Sequence, residues 1–359
     1  MKIRKLHIDK YKVFQNFDIT FTNNDGKSQN LVVIAGINGS GKTTLFEDFI
    51  YPTFHNKIIL KNSFIEIEDR EKDDNKIVTL DTEFLQGDIL NRNYRDNILF
   101  PKFKNIIFYE AGIANKKSAK NTIVQFIDKL IYEYDKKSSE AYLATQEILQ
   151  SIFQDFEMQI EFNGLDKKRE VLFKNERTGK MTIDDLSSGE QELITKAFSL
   201  YLDDIKDHII LIDEPESSLH PSWQSRIASI YEKFADKNNN QIILATHSPH
   251  IVASVHKEQI RVLVKEDHAI RAIDSFIGSY GWRVDRVLLE IFRLKGLRTP
   301  AIESKLEDLR KMVFANQYAT EGFKELENEL IASIGYDDMD LALIRMEVAK
   351  RKVTDEANR

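Results

Sequence analysis

A short run of small and basic residues near the N-terminus has the composition and spacing of a phosphate-binding loop. Residues 34–44 read Ile-Ala-Gly-Ile-Asn-Gly-Ser-Gly-Lys-Thr-Thr and fit the pattern G-x-x-x-x-G-K-[ST]. Such a loop turns successive backbone N–H groups towards an anion, and its glycines let the backbone come close. An apolar, strand-like run precedes it and a helix-like segment follows, so a helix N-terminus adds partial positive charge. The chain is therefore predicted to bind a nucleoside triphosphate.

The residues expected to hold this nucleotide are small or carry a donor group. They are Gly36, Asn38, Gly39, Ser40, Gly41, Lys42, Thr43 and Thr44. Lys42 is expected to reach the β- and γ-phosphates, and the hydroxyl of Thr43 is expected to bind Mg²⁺.

A second group of candidate residues follows an apolar run much later in the chain. Residues 209–216 read Ile-Ile-Leu-Ile-Asp-Glu-Pro-Glu, which places Asp213 and Glu214 at the carboxyl end of a buried strand. Asp213 is expected to complete the Mg²⁺ shell, and Glu214 to polarise a water molecule in line with the γ-phosphate. An acidic loop after a core strand is the alternative interpretation.

Two shorter motifs flank this strand in the sequence. In Ser187-Ser188-Gly189-Glu190, serine stands at a predicted helix start and an acidic residue lies in the first turn, the pattern of an N-cap. A plain helix cap is the alternative to a binding role here. His247 follows a second strand-like run, in Ala-Thr-His-Ser-Pro.

The order of these four motifs resembles that of ABC-type ATPases of the SMC-like and overcoming-lysogenisation-defect (OLD)-like branch, over about residues 1–265. The family's signature motif resembles residues 186–191, its Walker B strand resembles residues 209–216, and its D-loop resembles residues 217–221. The resemblance implies ATP as the nucleotide, Glu214 as catalytic glutamate and His247 as γ-phosphate sensor. It also implies a head-to-tail homodimer, or a higher oligomer, in which one copy's ATP is contacted by the other copy's Ser187, Ser188, Gly189 and Glu190.

The elements that must position these residues follow from hydrophobic periodicity. Strand patterning covers the first 35 residues and returns between 60 and 110, and helical spacing follows from about 119 to 154. From 186 to 264, apolar strands alternate with helices, which indicates a parallel sheet covered on both faces. With the resemblance, the predicted fold is an α/β P-loop NTPase of the ABC ATPase type. It has a mixed N-terminal β lobe, a parallel core sheet and a short helical insert. The predicted domains are an ATPase domain, 1–275, with the insert at about 112–156, and a helical C-terminal module, 276–359.

Bulk composition restricts the partners and the compartment. The chain has 359 residues, a formal net charge of −7 and no cysteine, which excludes disulfides and thiolate sites and fits a reducing cytoplasm. No apolar run approaches the roughly 18 residues of a membrane span, so no membrane partner is expected. Basic clusters at 116–120 and 167–169 leave DNA binding open, although a solvated face is the plainer interpretation.

The resemblance also suggests what the nucleotide controls. A compact ATPase without long arms and with a helical C-terminus is most similar to stand-alone anti-phage defence ATPases of the Septu PtuA kind, which act with a separate nuclease. Two alternatives remain: a RecF- or SMC-like repair ATPase that binds DNA directly, and a nucleotide-driven scaffold without a nuclease. The family's Mg²⁺-contacting glutamine is unassigned, with Gln86 and the region of Glu110 as candidates, and Tyr11 and Phe14 are candidates for stacking on adenine. The segment around Asp337 and Asp338 is predicted to be a helix cap rather than a metal site.

Overall fold

The computed structural model contains two compact units, residues 1–287 and 288–359. It describes residues 1–55, 61–71, 74–81, 105–110, 119–175, 179–202, 205–266, 269–274 and 278–357. The predicted α/β fold with a parallel core sheet and a helical C-terminal region is confirmed. The predicted domain boundary near residue 275 stays a prediction.

An antiparallel four-stranded sheet forms the N-terminal lobe. Its order is β2-β1-β4-β5, with strands β1 (Lys2–Tyr11), β2 (Phe14–Thr20), β4 (Phe64–Glu71) and β5 (Asp74–Leu80). Leu6 and Ile8 of β1 are fully buried with the period of two that the sequence predicts, and Ile3 is buried as well because the register of β1 against β4 shifts between Ile3 and Lys5. They share one apolar core with residues of the central sheet.

The central sheet has six strands in the order β13-β12-β3-β11-β10-β6. The strands are β3 (Leu31–Ala35), β6 (Ile106–Tyr109), β10 (Ile209–Asp213), β11 (Gln241–Thr246), β12 (Ile260–Glu266) and β13 (Ala269–Ile273). All neighbours are parallel except β12 and β13. Every residue of β3, β10 and β11 is buried, which is typical of parallel strands covered on both faces. β6 continues the strand pattern of residues 60–110, but it lies in the core sheet because its residues pair with β10.

Helices cover this sheet and form the predicted short insert. After β3, a π-helical segment (Thr44–Ile50) leads into α1 (Tyr51–Phe54), where Pro52 has no N–H to donate to an ordinary α-helical turn. The insert contains α2 (Ala119–Tyr132) and α3 (Ser138–Asp155). A small antiparallel sheet follows, with strands β7 (Ile160–Leu165), β8 (Val171–Asn175) and β9 (Gly179–Thr182). The remaining helices of the first unit are α4 (Ser188–Leu202), α5 (Pro221–Asn238) and α6 (Pro249–Ser254), and α7 (Val284–Glu290) reaches the boundary.

The second unit is a helical module with its own apolar core. Helices α8 (Pro300–Phe314), α9 (Glu321–Ile334) and α10 (Met339–Ala357) each contribute buried residues to one cluster. α8 begins at Pro300, and α9 ends before Gly335, whose φ of +91° suits glycine. Asp338 accepts hydrogen bonds from the backbone N–H groups of Asp340 and Leu341, so the predicted helix cap is confirmed. Among the helices that the structure describes, none is both long and apolar enough to cross a membrane.

A buried glutamine joins the N-terminal lobe to the core sheet. Gln241, at the start of β11, is fully buried. Its Nε2 donates to the carbonyl oxygen of Ile3 over 2.9 Å, and its Oε1 accepts from the N–H of Ile3 over 2.6 Å. The N–H and the carbonyl oxygen of Ile3 are both shielded from water. Leaving them without hydrogen bonds would destabilise the folded chain, and the side-chain amide of Gln241 satisfies both.

We expect Gln241→Leu to lower the free energy of unfolding by about 1–3 kcal/mol for each backbone group left unsatisfied. Urea unfolding measures this, and Gln15→Leu on the exposed face of β2 is the matched control. Equal unfolding midpoints for the two variants would contradict the assigned role of Gln241.

Candidate functional site

The loop after β3 has the backbone geometry that anion binding requires. Gly39 and Gly41 have φ values of +78° and +86°, which residues with a side chain rarely adopt. At position 36, packing rather than the φ angle requires glycine, because a Cβ there would lie 2.9 Å from the backbone oxygen of Leu263. Ser40 is buried, and its Oγ has no hydrogen-bond partner among the described residues. Ile37 and Asn38 are exposed at the tip of the loop.

Lys42 lies beneath this loop and is almost completely buried. Its Nζ donates to the carbonyl oxygens of Gly36 over 2.7 Å and Ile37 over 3.2 Å. Burial lowers the pKa of Lys42, and the negative charges of Asp213, Glu214 and Glu216 act in the opposite direction. The ammonium group is therefore held at the loop by neutral carbonyls, with three carboxylates nearby.

A direct hydrogen bond connects the loop to the end of β10. Thr43 Oγ1 donates to Asp213 Oδ2 over 2.7 Å, although 170 residues separate them in the sequence. The other carboxylate oxygen, Asp213 Oδ1, is buried without a hydrogen-bond partner among the described residues. The contact brings together the two side chains that the sequence assigns to Mg²⁺, and that role stays a prediction.

The donor set fits a magnesium ion held mainly by a nucleotide. Thr43 Oγ1 and the orphaned Asp213 Oδ1 are hard oxygen ligands, which Mg²⁺ prefers. Within the described part of the chain, no three His, Cys, Asp or Glu side chains gather as a metal site. Most ligands of such an ion would therefore be phosphate and water oxygens, as is usual for Mg²⁺.

The next residue, Glu214, faces His247 across the ends of β10 and β11. Glu214 Oε1 lies 3.2 Å from His247 Nδ1, and both side chains are partly exposed. The backbone of Glu214 has a φ of +48°, and its N–H donates to the carbonyl oxygen of Ala245 over 2.8 Å. A carboxylate and an imidazole are thus held together at the mouth of the loop, where a water molecule could be oriented and a terminal phosphate contacted.

Glu216 is a buried carboxylate that the sequence analysis does not assign to the site. Its side chain is only 4% exposed, and its Oε1 accepts hydrogen bonds from the hydroxyl of Thr246 and the N–H groups of His247 and Ser248. The only signal in the sequence was its position: like Asp213 and Glu214, it is an acidic residue close to the end of a fully apolar strand.

The predicted signature residues lie at a helix start on the surface. Ser187 and Ser188 are exposed, while Gly189 and Glu190 are partly buried. Ser187 and Glu190 form a capping box, since the Ser187 N–H donates to Glu190 Oε2 and the Glu190 N–H donates to Ser187 Oγ. No hydrogen bond or ion pair of the described residues joins this segment to the phosphate-binding loop.

Several other candidates are outside the site or outside the described residues. Gln86 falls outside the described part of the chain, and Glu110 is exposed at the end of β6. Phe14 is fully buried, with its ring 3.0 Å from where a Cβ of Gly41 would lie, so it supports the loop and has no face free for a base. Tyr11 is half-buried and packs on the core.

Local ion pairs occupy much of the basic region from 120 to 170. Arg169 donates to Asp128 over 2.5 Å, and Lys120 is paired with Glu170. These contacts agree with the solvated-face interpretation of this cluster. Lys116 and Lys117 lie outside the described residues.

Asp213→Asn is expected to separate stability from ligand binding. Burial, with the charges of Glu214 and Glu216, raises the pKa of Asp213, and the hydrogen bond from Thr43 and the charge of Lys42 oppose this. The folded chain then holds that proton to a higher pH than the unfolded chain, so the free energy of unfolding falls as pH rises from about 4 through the raised pKa. Asparagine cannot ionise, so we expect the nucleotide-free variant to be more stable than wild type at neutral pH, by about 1 kcal/mol.

The same variant should lose the stabilisation that Mg²⁺ and ATP give to the wild type, because ligand stabilisation follows binding to the folded state. Urea unfolding between pH 4 and 8, with and without ATP and Mg²⁺, measures both effects, and ATP with a chelator is the control. A less stable nucleotide-free variant, or one with full Mg²⁺-dependent stabilisation, would refute this account of Asp213.

The chain is similar in sequence to several proteins of known families. Residues 90–253 match the family described as "AAA domain, putative AbiEii toxin, Type IV TA system". The chain is 32% identical over 152 residues to the "Retron Ec83 probable ATPase" of Escherichia coli, a match that covers 41% of this chain and 26% of the relative. It is 33% identical over 107 residues to the "Septu protein PtuA" of Bacillus thuringiensis, which covers 29% of this chain and 26% of that relative. The matches therefore span only about a quarter of these relatives' length.

Among solved structures, the fold is similar to that of an SmcHead crystallised with the C-terminal winged-helix domain of ScpA. The TM-score is 0.50 and the identity 18%, with 76% of this chain and 98% of the other covered. At this identity the likeness concerns the fold. The sheet, the order of the motifs and the sequence matches agree, and the chain is similar in sequence to AAA-domain ATPases and in fold to an SMC head.

Proposed function

We propose that the chain is an ATP-hydrolysing switch that dimerises head to tail around ATP and Mg²⁺ and controls a separate effector, a nuclease, in anti-phage defence. The observation that carries the enzymatic part is the convergence of three segments at one end of the core sheet. Thr43 contacts Asp213, and Glu214 contacts His247, within 2.7 and 3.2 Å.

Each of these residues has a chemical task in hydrolysis. Lys42 neutralises charge on the phosphates, and Thr43 with Asp213 would hold Mg²⁺, which neutralises developing charge when bound. Glu214 polarises the attacking water, and His247 contacts the terminal phosphate. These roles require only small side-chain movements, since the side chains already lie at the carboxyl ends of adjacent strands.

The position of the signature segment supports a site shared between two copies. Ser187 and Ser188 are exposed at a helix N-terminus, a position whose free N–H groups and dipole favour an anion. Because this segment makes no hydrogen bond or ion pair with the phosphate-binding loop within the described part of the chain, we assign its phosphate partner to a second copy. The γ-phosphate would then join the two copies by charge-assisted hydrogen bonds, and hydrolysis would release them.

We expect Glu214→Gln to bind ATP and accumulate dimers with turnover reduced at least 100-fold, because binding groups remain while water activation is lost. Lys42→Ala should fail to bind ATP and remain in the nucleotide-free oligomeric state. Calorimetry gives the affinity, light scattering the mass, and phosphate release the turnover.

Glu147→Gln, on the exposed face of α3, is the matched control and should behave as wild type. Equal ATP affinity and equal dimerisation in the Glu214 and Lys42 variants would refute the switch. Dimers that form equally well without nucleotide would refute the role of ATP in joining the copies.

The defence role has separate support from the relatives. Two of them carry the names of a retron ATPase and a Septu protein. The motifs also resemble those of stand-alone defence ATPases, a class that acts with a separate nuclease subunit. The chain's own described residues form an ATPase site and a helical module, and the nuclease chemistry is assigned to another chain.

We expect the chain to co-purify with a nuclease encoded beside it, and the pair to reduce phage plaque formation in cells at least 100-fold. Lys42→Ala in the same operon should abolish protection, because the switch can no longer bind ATP. Glu147→Gln serves again as the control that should keep protection.

A chain that purifies without any neighbouring product, and whose ATPase is stimulated by DNA with a steep salt dependence, would favour the repair alternative.

A further inference from the structure

The loop that follows the catalytic glutamate contains a second carboxylate, which is buried. Its side chain accepts hydrogen bonds from the turn between β11 and α6, here called the histidine turn. Glu216 lies two residues after Glu214, and its Oε1 is the common acceptor for three donors. They are Thr246 Oγ1 at 2.6 Å, the His247 N–H at 2.9 Å and the Ser248 N–H at 3.1 Å. One oxygen therefore satisfies three successive residues of the turn between β11 and α6.

The same oxygen also faces the imidazole. Glu216 Oε1 lies 3.4 Å from His247 Nδ1, and Glu214 Oε1 lies 3.2 Å from that same nitrogen. His247 thus has its backbone held by one carboxylate and its ring placed between two. Because Glu216 is 4% exposed whereas His247 is 44% exposed, the buried partner is the fixed one and the histidine is the side chain available to a ligand.

The loop that carries Glu216 is held from its other side by the signature helix. Lys196, on α4, donates to the carbonyl oxygens of Pro215 over 3.1 Å and Ser217 over 2.5 Å, on either side of Glu216. Its Nζ also lies 3.1 Å from Glu192 Oε1, one turn earlier on the same helix. The backbone at 215–217 is therefore fixed by α4, and the side chain of Glu216 extends from it to the histidine turn.

We propose that Glu216 is a positioning residue for ATP hydrolysis, which holds the turn bearing His247 in register with Glu214. The inference rests on the proposed ATPase function and adds a residue to it. Among the described residues, Glu216 makes no hydrogen bond to the phosphate-binding loop or to the Thr43–Asp213 pair, and its negative charge acts on Lys42 and Asp213 only through space. Its direct contacts therefore act on hydrolysis through His247, and Glu216→Gln, which removes the charge and keeps the oxygen, separates the two effects.

The test is the ATPase activity of Glu216→Ala and Glu216→Gln. We expect Glu216→Ala to lower kcat about 10- to 100-fold, a typical cost of losing a group that orients a functional one, with KM and the ATP dissociation constant within about threefold of wild type. Glu216→Gln keeps an oxygen acceptor in the same place, so it should recover most of the lost kcat. A residue needed only for folding would also lower the apparent kcat at constant KM, because it reduces the fraction of active protein. The kcat is therefore calculated per ATP-binding site counted by calorimetry, and a folding defect would leave that value unchanged.

A double-mutant cycle with His247→Ala shows whether the effect passes through the histidine. If it does, adding Glu216→Ala to His247→Ala should change kcat less than about threefold, because the turn has then nothing left to position. Thr246→Val removes one of the three donors while leaving the carboxylate in place, and should lower kcat by a smaller factor. This variant tests the inference even if Glu216→Ala does not fold.

The results of these experiments can overturn the role of Glu216 without overturning the proposed ATPase function. Three results would overturn the role of Glu216 alone. The first is a wild-type kcat in both Glu216→Ala and Thr246→Val. The others are a loss of kcat in Glu216→Ala that multiplies fully with the loss in His247→Ala, or a loss confined to the affinity for ATP. A wild-type chain without ATPase activity, or full turnover in Glu214→Gln, would overturn the proposed function and this inference with it.

Discussion

The free-energy cost of burying charged groups determines which partners surround them in this site. Lys42, Asp213 and Glu216 are all less than 7% exposed, and Glu214 adds a third carboxylate beside them. Removing ions from water costs several kcal/mol each unless partners compensate. Here the partners are the Thr43 hydroxyl, two carbonyl oxygens of the loop and the donors of the histidine turn. Negative charge remains in excess, and Asp213 Oδ1 has no partner among the described residues, an arrangement that a cation would balance.

Parallel strand order brings these charges together from distant parts of the chain. β3, β11 and β10 are neighbours in the sheet, and each ends where its polar residues begin. The register of β10 against β11 places Asp213 opposite Ala245, so the next residues on both strands emerge side by side. The N-terminal lobe is joined to the same strand, because the side chain of Gln241 on β11 forms hydrogen bonds with the backbone of Ile3. The same strand therefore carries the histidine turn at one end and the contact between lobe and core at the other.

Much of this arrangement was predictable from sequence, because strand periodicity and parallel order alone place Thr43, Asp213, Glu214 and His247 at one sheet edge. The role of Glu216 was not predictable in this way. Its direction depends on two left-handed residues, Glu214 and Ser218, with φ of +48° and +62°, and no periodicity predicts such a turn in residues other than glycine. The sheet to which β6 belongs was likewise undecided, since a short apolar run does not reveal its pairing partner. Phe14 illustrates a third limit, because an aromatic residue near a nucleotide loop has the same pattern whether it meets a base or supports a glycine.

The backbone of Glu214 has a mechanical consequence. A non-glycine residue in the left-handed region stores roughly 1–3 kcal/mol of strain, and here the hydrogen bond from its N–H to Ala245 on the neighbouring strand holds it there. The carboxylate is thus attached to two strands at once, through its own chain and through that bond. If β10 and β11 slid or spread by a fraction of an ångström, the bond would weaken, the peptide could relax, and the angle at which the carboxylate meets its water would change. The direction of the Glu214 carboxylate therefore depends on the spacing of β10 and β11 as well as on its own peptide.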